Sequence, residues 1–187
     1  VRSLPAIFLQ MWDIAQEPEF EAYLKQPIPA PAGAKGFAAP YGDCPLDGER
    51  VGEMVYMDLL NRAQKYVHII TPYLILDGEL ETALRFAAER GVDVHLILPG
   101  VPDKKFAYAL AKTHYKALLS SGVKISEWTP GFTHAKLVVA DGVEAVVGTI
   151  NLDYRSLYHH FECGTYLYAS PEVAKIEQDF QQTLAKC

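Results

Sequence analysis

Between Glu49 and Trp128 the chain alternates helix-length segments with short apolar runs, each closed by glycine or proline. This alternation narrows the fold sharply, because strands joined through helical spacers pair in parallel and need helices over the sheet faces. Residues 50–64 read as a helix and residues 66–71 as a buried strand ended by Pro72. Residues 79–90 form a helix stopped by Gly91, a residue that takes the left-handed conformation common at helix C-termini. Residues 92–98 are a second strand, ended by Pro99 and Gly100. A third helix runs to about Ser121, with Asp103 as its candidate N-cap and Gly122 as its stop, and residues 123–127 are a third strand. The expected fold class is α/β: a layered domain with a mixed, mostly parallel β-sheet flanked by helices.

Upstream, residues 1–24 carry Leu4, Ile7, Phe8, Met11, Trp12 and Ile14 at helical spacing, which predicts an amphipathic helix. Pro27, Pro29, Pro31, Gly33, Gly36, Pro40, Gly42, Pro45 and Gly48 follow and break any helix. That stretch reads as a linker, closed by a short strand near residues 37–41. At 187 residues the chain has room for one well-cored domain with some extra length.

Seventeen Lys and Arg against 23 Asp and Glu leave a formal charge of −6, so no nucleic acid is expected as a partner. Cys44, Cys163 and Cys187 are odd in number and widely spaced, which suggests neither a disulfide framework nor a zinc site. No apolar run approaches the roughly 20 residues that cross a bilayer. The chain opens at Val1 without a signal-peptide pattern and reads as a piece of a longer protein.

Residues 134–149 carry the chemistry. Residues 134–140 (HAKLVVA) alternate as a strand does, so His134 and Lys136 share a face roughly 7 Å apart. Asp141-Gly142 signals a tight type I′ hairpin, with residues 143–149 returning antiparallel. A two-residue loop pairs Ala140 with Val143 and His134 with Thr149, and Asn151 follows just beyond the strand end. Imidazole, ammonium, hydroxyl and carboxamide then converge: a nucleophile, a cation and two neutral donors, a set suited to a phosphate diester. Asp141 lies at the other end of the hairpin, roughly 23 Å from His134, and is expected to act only as a turn and hydrogen-bonding residue.

His134-x-Lys136-x4-Asp141, followed by Gly148-Thr149-x-Asn151, resembles the HKD motif of the phospholipase D superfamily. The resemblance implies that the histidine attacks phosphorus or protonates the leaving group, and that Lys136, Thr149 and Asn151 bind phosphate oxygens. Glu162, 28 residues after His134, matches the carboxylate that orients the catalytic imidazole by accepting a proton from one ring nitrogen. Thr71-Pro72-Tyr73, residues 90–94 (RGVDV), Leu98-Pro99, residues 122–125 (GVKI) and residues 148–162 (GTINLDYRSLYHHFE) are similar to the second catalytic half of bacterial cardiolipin synthases. Phe8 and Trp12 resemble the closing helix of that family's first half. The implied organisation is a trailing helix of a missing first domain (1–25), a linker with a first strand (26–48) and a second phospholipase D-like domain (49–187).

By the same resemblance the parent is a phosphatidyltransferase on the cytoplasmic face of a bacterial membrane, anchored by segments outside this piece, which is itself soluble. It would join two phosphatidylglycerol molecules into cardiolipin and release glycerol through a phosphohistidine, with no cofactor and no metal. Its partners would be the phospholipid substrate and the missing half, or a second copy of the chain. Two alternatives are a single-motif phosphodiesterase or nuclease working as a homodimer, and a catalytically silent half-module.

Simpler roles suffice elsewhere. His68 and His95 sit in apolar strands and read as hydrogen-bonded core residues. Adjacent His159 and His160 would face opposite sides of a strand and make a poor metal pair. Arg155 suits a lipid phosphate or a salt bridge equally, and Tyr73 defaults to packing.

Overall fold

The computed structural model describes residues 3–14, 20–27 and 32–187. In chain order the elements are α1 (Ser3–Asp13), α2 (Phe20–Leu24), β1 (Phe37–Asp43), α3 (Val51–Arg62), β2 (Tyr66–Ile70), β3 (Leu74–Ile75), α4 (Gly78–Glu89) and β4 (Asp93–Pro99), followed by α5 (Lys105–Ser120), β5 (Lys124–Trp128), β6 (Leu137–Ala140), β7 (Glu144–Gly148), β8 (Leu152–Asp153), α6 (Tyr154–Tyr158), β9 (Glu162–Tyr168) and α7 (Pro171–Leu184). One seven-stranded sheet runs β1-β9-β7-β6-β2-β4-β5, and β3 pairs with β8 in a small second sheet. Strands β2, β4 and β5 are parallel neighbours because α4 and α5 carry the chain back between them. The hairpin β6–β7, with β9 and β1 beyond it, is antiparallel. Five of the seven strands nonetheless run in one direction, with β6 and β9 opposed. The sheet is thus mixed, as the alternating pattern predicts.

Strand alternation divides the interior in two. Val67, Ile69, Val138, Ala140 and Val146 face Leu59, Leu60, Leu80, Leu84 and Leu118 of α3, α4 and α5. Ile70, Leu137, Val139 and Ala145 point the other way, onto Val173 and Phe180 of α7. Both histidines lie on this second side: His68 Nδ1 is 2.9 Å from Glu177 Oε2, and His95 Nε2 is 2.9 Å from Ser126 Oγ. The His68 ring stacks on Phe180 at 4.4 Å.

Several sequence expectations need correction. The single helix over residues 1–24 is replaced by α1 and the short α2, and residues 15–19 between them lie outside the described residues. Asp103 does not cap α5; Lys104 takes that position without a side-chain bond, and the Asp103 carboxylate instead accepts the Tyr73 hydroxyl at 2.6 Å. His159 caps the C-terminus of α6 and His160 follows in a bend, so neither lies on a strand. Strand β6 begins at Leu137, which leaves His134 and Lys136 on the segment leading into it.

The hairpin register is also shifted by one. Asp141 and Gly142 have positive φ (54° and 71°), and Val143 N–H bonds Ala140 O at 3.1 Å, so the tight turn is present. The ladder then resumes with Ala140 opposite Glu144, leaving Val143 as an extra residue in a bulge. Burial supplies the reason. Pairing Val139 with Glu144 would set a carboxylate on the apolar α7 face, and a one-residue shift exchanges every side chain between faces. The bulge returns Glu144 to the other side, where it takes Arg62 at 2.7 Å.

Candidate active site

Because β6 and β9 oppose the remaining strands, the start of β6, the end of β7 and the start of β9 meet at one end of the sheet. Lys136 enters there alongside Gly148, whose N–H bonds Lys136 O at 3.4 Å. A Cβ on Gly148 would stand 2.3 Å from Cys163 O, so only glycine permits this approach of β7 to β9. The next residues are pinned by their backbone: Thr149 N–H donates to Cys163 O (2.8 Å), Ile150 O accepts the Tyr56 hydroxyl (2.8 Å), and Leu152 N–H donates to Thr71 Oγ1 (3.3 Å).

The Lys136 Nζ lies 3.0 Å from both ring nitrogens of His134 and 2.8 Å from its carbonyl oxygen. An ammonium beside an imidazole finds an acceptor only when the ring is neutral, the form that can attack phosphorus or accept a proton. Burial draws the Lys136 pKa below its ordinary value, while the charges of Glu162 and Asp153 pull it upward. The ring of His134 is exposed and meets Phe132 at 5.7 Å and the edge of Tyr73 at 6.3 Å. Tyr73 therefore does more than fill the core, since it forms part of the wall around His134.

Glu162 anchors a second group. Its carboxylate accepts the hydroxyls of Thr149 and Ser156, and His160 Nδ1 lies 3.4 Å away. Thr149 Oγ1 also accepts Cys163 N–H at 3.0 Å. Ser156 Oγ accepts both Asn151 N–H (3.1 Å) and Asn151 Nδ2 (3.0 Å). The single Ser156 proton goes to Glu162, so the amide must present its NH2 to the hydroxyl, and one Nδ2 hydrogen remains for a ligand. Asn151 Oδ1 is buried without a partner.

These bonds redistribute the roles expected from the sequence. Glu162 makes no hydrogen bond to His134; it holds Thr149 and Ser156. The Thr149 proton is committed to Glu162 and is not directed at a phosphate. Ser156 and Asp153 join the site without having been singled out in advance, and so does His160, which the sequence offered only as half of a poor metal pair. Burial raises the Asp153 pKa, which the bonds from Arg155 and Ser156 N–H only partly offset, and its side chain caps α6 through Arg155 N–H at 3.2 Å. Asp141 closes the far end of the hairpin, accepting the N–H groups of Gln64, Lys65 and Tyr66 at 2.8, 2.8 and 3.0 Å. Burial raises its pKa, but the bonds from Tyr66, Gln64 and Lys65 more than offset this and leave it below the ordinary value.

With this geometry in place, likeness to known proteins decides the family. Residues 56–184 match the family described as cardiolipin synthase, PLD-like domain. The chain belongs to that family. The cardiolipin synthase of Geobacillus kaustophilus is 35% identical over 182 residues, 96% of this chain and 36% of that protein. An uncharacterised Streptococcus mutans protein is 58% identical over 185 residues, 98% of this chain and 40% of its own length. This PLD-like domain thus spans well under half of either relative. Among solved structures, Nuc from Salmonella typhimurium, a phospholipase D family member, superposes with a TM-score of 0.69 at 15% identity, over 81% of this chain and 96% of that one. Phosphatidylserine synthase from Haemophilus influenzae gives 0.65 at 19% identity, over 80% and 39%. At these identities the likeness shows the phospholipase D fold.

Among the described residues of this PLD-like domain, Glu53, Asp77 and Glu79 bring three carboxylates close enough for a metal. Internal partners already engage two of them. Asp77 accepts the Tyr158 hydroxyl and Leu80 N–H, and Glu53 pairs with Arg50 at 3.2 Å. A groove of about 380 Å³, walled by Ile7, Met11, Leu46 and Phe161, opens beside Glu162. Arg155 forms no ion pair among the described residues. Among those residues no helix is long and apolar enough to cross a membrane.

Proposed function

We propose that the chain is the second catalytic half of a cardiolipin synthase, transferring a phosphatidyl group between two phosphatidylglycerol molecules with release of glycerol. The observation that carries this reading is the Lys136 ammonium set 3.0 Å from the His134 imidazole at the open end of the sheet, in a chain of this family. In the first displacement an imidazole nitrogen attacks phosphorus, the P–O bond to glycerol breaks, and a second imidazole protonates the leaving oxygen. In the second, that imidazole removes the hydroxyl proton of another phosphatidylglycerol, the resulting oxygen attacks phosphorus, and the P–N bond breaks.

His134 takes one of these two roles, and a histidine outside this chain takes the other. Lys136 and the free Asn151 Nδ2 hydrogen neutralise the non-bridging oxygens, while Glu162, Thr149 and Ser156 hold Asn151 in place. Residues 1–25 then close the preceding half, residues 26–48 link it and supply the first strand, and residues 49–187 form the second domain. The parent works at the cytoplasmic face of the cell membrane, anchored by segments outside this chain.

The test is turnover of phosphatidylglycerol vesicles by the chain, alone and with a separately produced first half. Cardiolipin and glycerol are expected from the mixture, falling roughly 10³-fold with His134→Ala. Turnover by the chain alone, abolished by the same substitution, would instead point to a site shared by two copies. Activity that survives loss of His134 sinks the assignment.

A further inference from the structure

Something other than a carboxylate has to orient the His134 ring. Among the described residues its nitrogens meet only the Lys136 Nζ, and Glu162 is taken by Thr149 and Ser156. The χ2 angle of a histidine is a broad, two-fold torsion, so one ammonium contact leaves the imidazole free to swing. Two aromatic rings limit that freedom: Phe132 at 5.7 Å, tilted by 35°, and Tyr73 at 6.3 Å, nearly perpendicular at 78°. Phe132 is itself exposed, whereas Tyr73 is half-buried and tied down at both ends. Its carbonyl oxygen accepts the Thr71 hydroxyl at 3.0 Å, and Thr71 Oγ1 accepts Leu152 N–H, which fastens the Tyr73 backbone to the residue after Asn151. Its phenol donates to Asp103 Oδ2 at 2.6 Å, and the Lys104 Nζ lies 5.2 Å from the ring centroid. Burial, then the bond and charge of Asp103, push the Tyr73 pKa up to about 12, so the phenol keeps the proton it donates. This bond also accounts for Asp103, which precedes α5 without capping it.

We propose that Tyr73 is a positioning residue: its ring fixes the orientation of the His134 imidazole, and Asp103 in the β4–α5 loop holds Tyr73 in place for that task. The proposal rests on the phosphatidyl-transfer reading. A nitrogen that attacks phosphorus or carries a proton must point at its target, and a misplacement of roughly 1 Å can cost roughly 10²-fold in rate. A perpendicular aromatic pair supplies such direction, because the ring quadrupoles favour particular geometries over loose contact. The Asp103 bond thus acts on the chemistry at one remove: Asp103 sets Tyr73, Tyr73 sets the imidazole, and the imidazole meets the phosphate.

The experiment has two readouts. In the chain alone, NMR should show NOEs between the ring protons of His134 and Tyr73, weakened by Tyr73→Phe and by Asp103→Ala, which cut the same bond from either side. In phosphatidylglycerol turnover by the chain with its first half, each substitution should lower kcat roughly tenfold and leave KM nearly unchanged, and Tyr73→Leu should lower kcat further. The double variant Tyr73→Phe/Asp103→Ala should be no slower than either single one, and Asp103→Asn, which keeps an acceptor oxygen, should retain most of the rate. Tyr115→Phe removes a like bond, to Glu127 at 3.0 Å, that does not involve Tyr73, and should move neither readout. Should Tyr73→Leu unfold the chain, the two tether variants carry the test. Single effects that multiply in the double variant, a change confined to KM, or NOEs that are absent from wild type or equal in all variants overturn the proposal. An inactive mixture whose wild-type chain shows the NOEs counts against phosphatidyl transfer alone, and turnover in which Tyr73→Leu matches wild type counts against positioning alone.

Discussion

Gly148 carries the tightest steric condition at the site. The atom that an added Cβ would strike is a backbone oxygen, Cys163 O, and backbone cannot rotate away as a side chain can. Gly148→Ala is therefore expected to cost roughly 1–3 kcal/mol, read from urea unfolding, and to part β7 from β9 next to Asn151. The glycine belongs to a motif visible in the sequence, as do His134, Lys136 and Asn151, because those residue types at that spacing have few other uses. Ser156 is the contrary case. It is only 1% exposed and joins Asn151 to Glu162, yet a serine five residues past an asparagine carries no pattern of its own. Asp153 was hidden for a similar reason, and His160 was read only as half of a poor metal pair. Their importance comes from the short helix α6, which turns residues 153–162 back toward β9, and five residues are too few to show helical periodicity.

Among the elements, the junction of α3 and α4 has a pH dependence that can be worked out. Burial, then the hydrogen bond and charge of Asp77, raise the Glu53 pKa from its ordinary 4.5 to about 7. The folded chain thus holds a proton there that the unfolded chain releases. The resulting stability is complete below about 4.5 and is lost as pH rises through about 7. Asp77 behaves oppositely. Burial raises its pKa, but bonds from Glu53, Tyr158 and Leu80 N–H more than offset this and hold it below the ordinary value, so its contribution fades in acid. Glu53→Gln should remove the loss between about pH 5 and about pH 8, measured as the difference in urea midpoint against wild type.

Element types were legible wherever glycine or proline punctuated the chain, as at Pro72, Gly91, Pro99 and Gly122. The hairpin register was not. Apolar residues line both faces of β6, so its sequence does not say which face Val138 takes. The bulge at Val143 follows from where Glu144 can find Arg62, a partner 82 residues away.

For the molecule as a whole, the two sides of the sheet are unequally covered. Among the described residues α3, α4 and α5 lie over one side, and α7 covers the middle of the other, where Phe180 is fully buried. Phe180→Ala should cost roughly 3–5 kcal/mol, checked by thermal or urea unfolding, since Phe180 is the largest fully buried side chain on that face. The parallel half of the sheet was readable from strand and helix lengths. In its antiparallel half the β6–β7 hairpin was readable from Asp141-Gly142, but the place of β9 between β1 and β7 was not, because long-range partners leave no local trace in either segment.

That same pairing sets an order of events during translation. β1 has its neighbour in β9, and the apolar face of the sheet waits for Phe180, so residues 162–184 are needed before residues 37–43 can be seated. Until they emerge from the ribosome, an unpaired edge and a greasy sheet face stand open, the state in which nascent chains recruit chaperones or one another. A ribosome stalled inside β9 would thus hold a chain with most of its sequence made and the smaller of its two core clusters still wet.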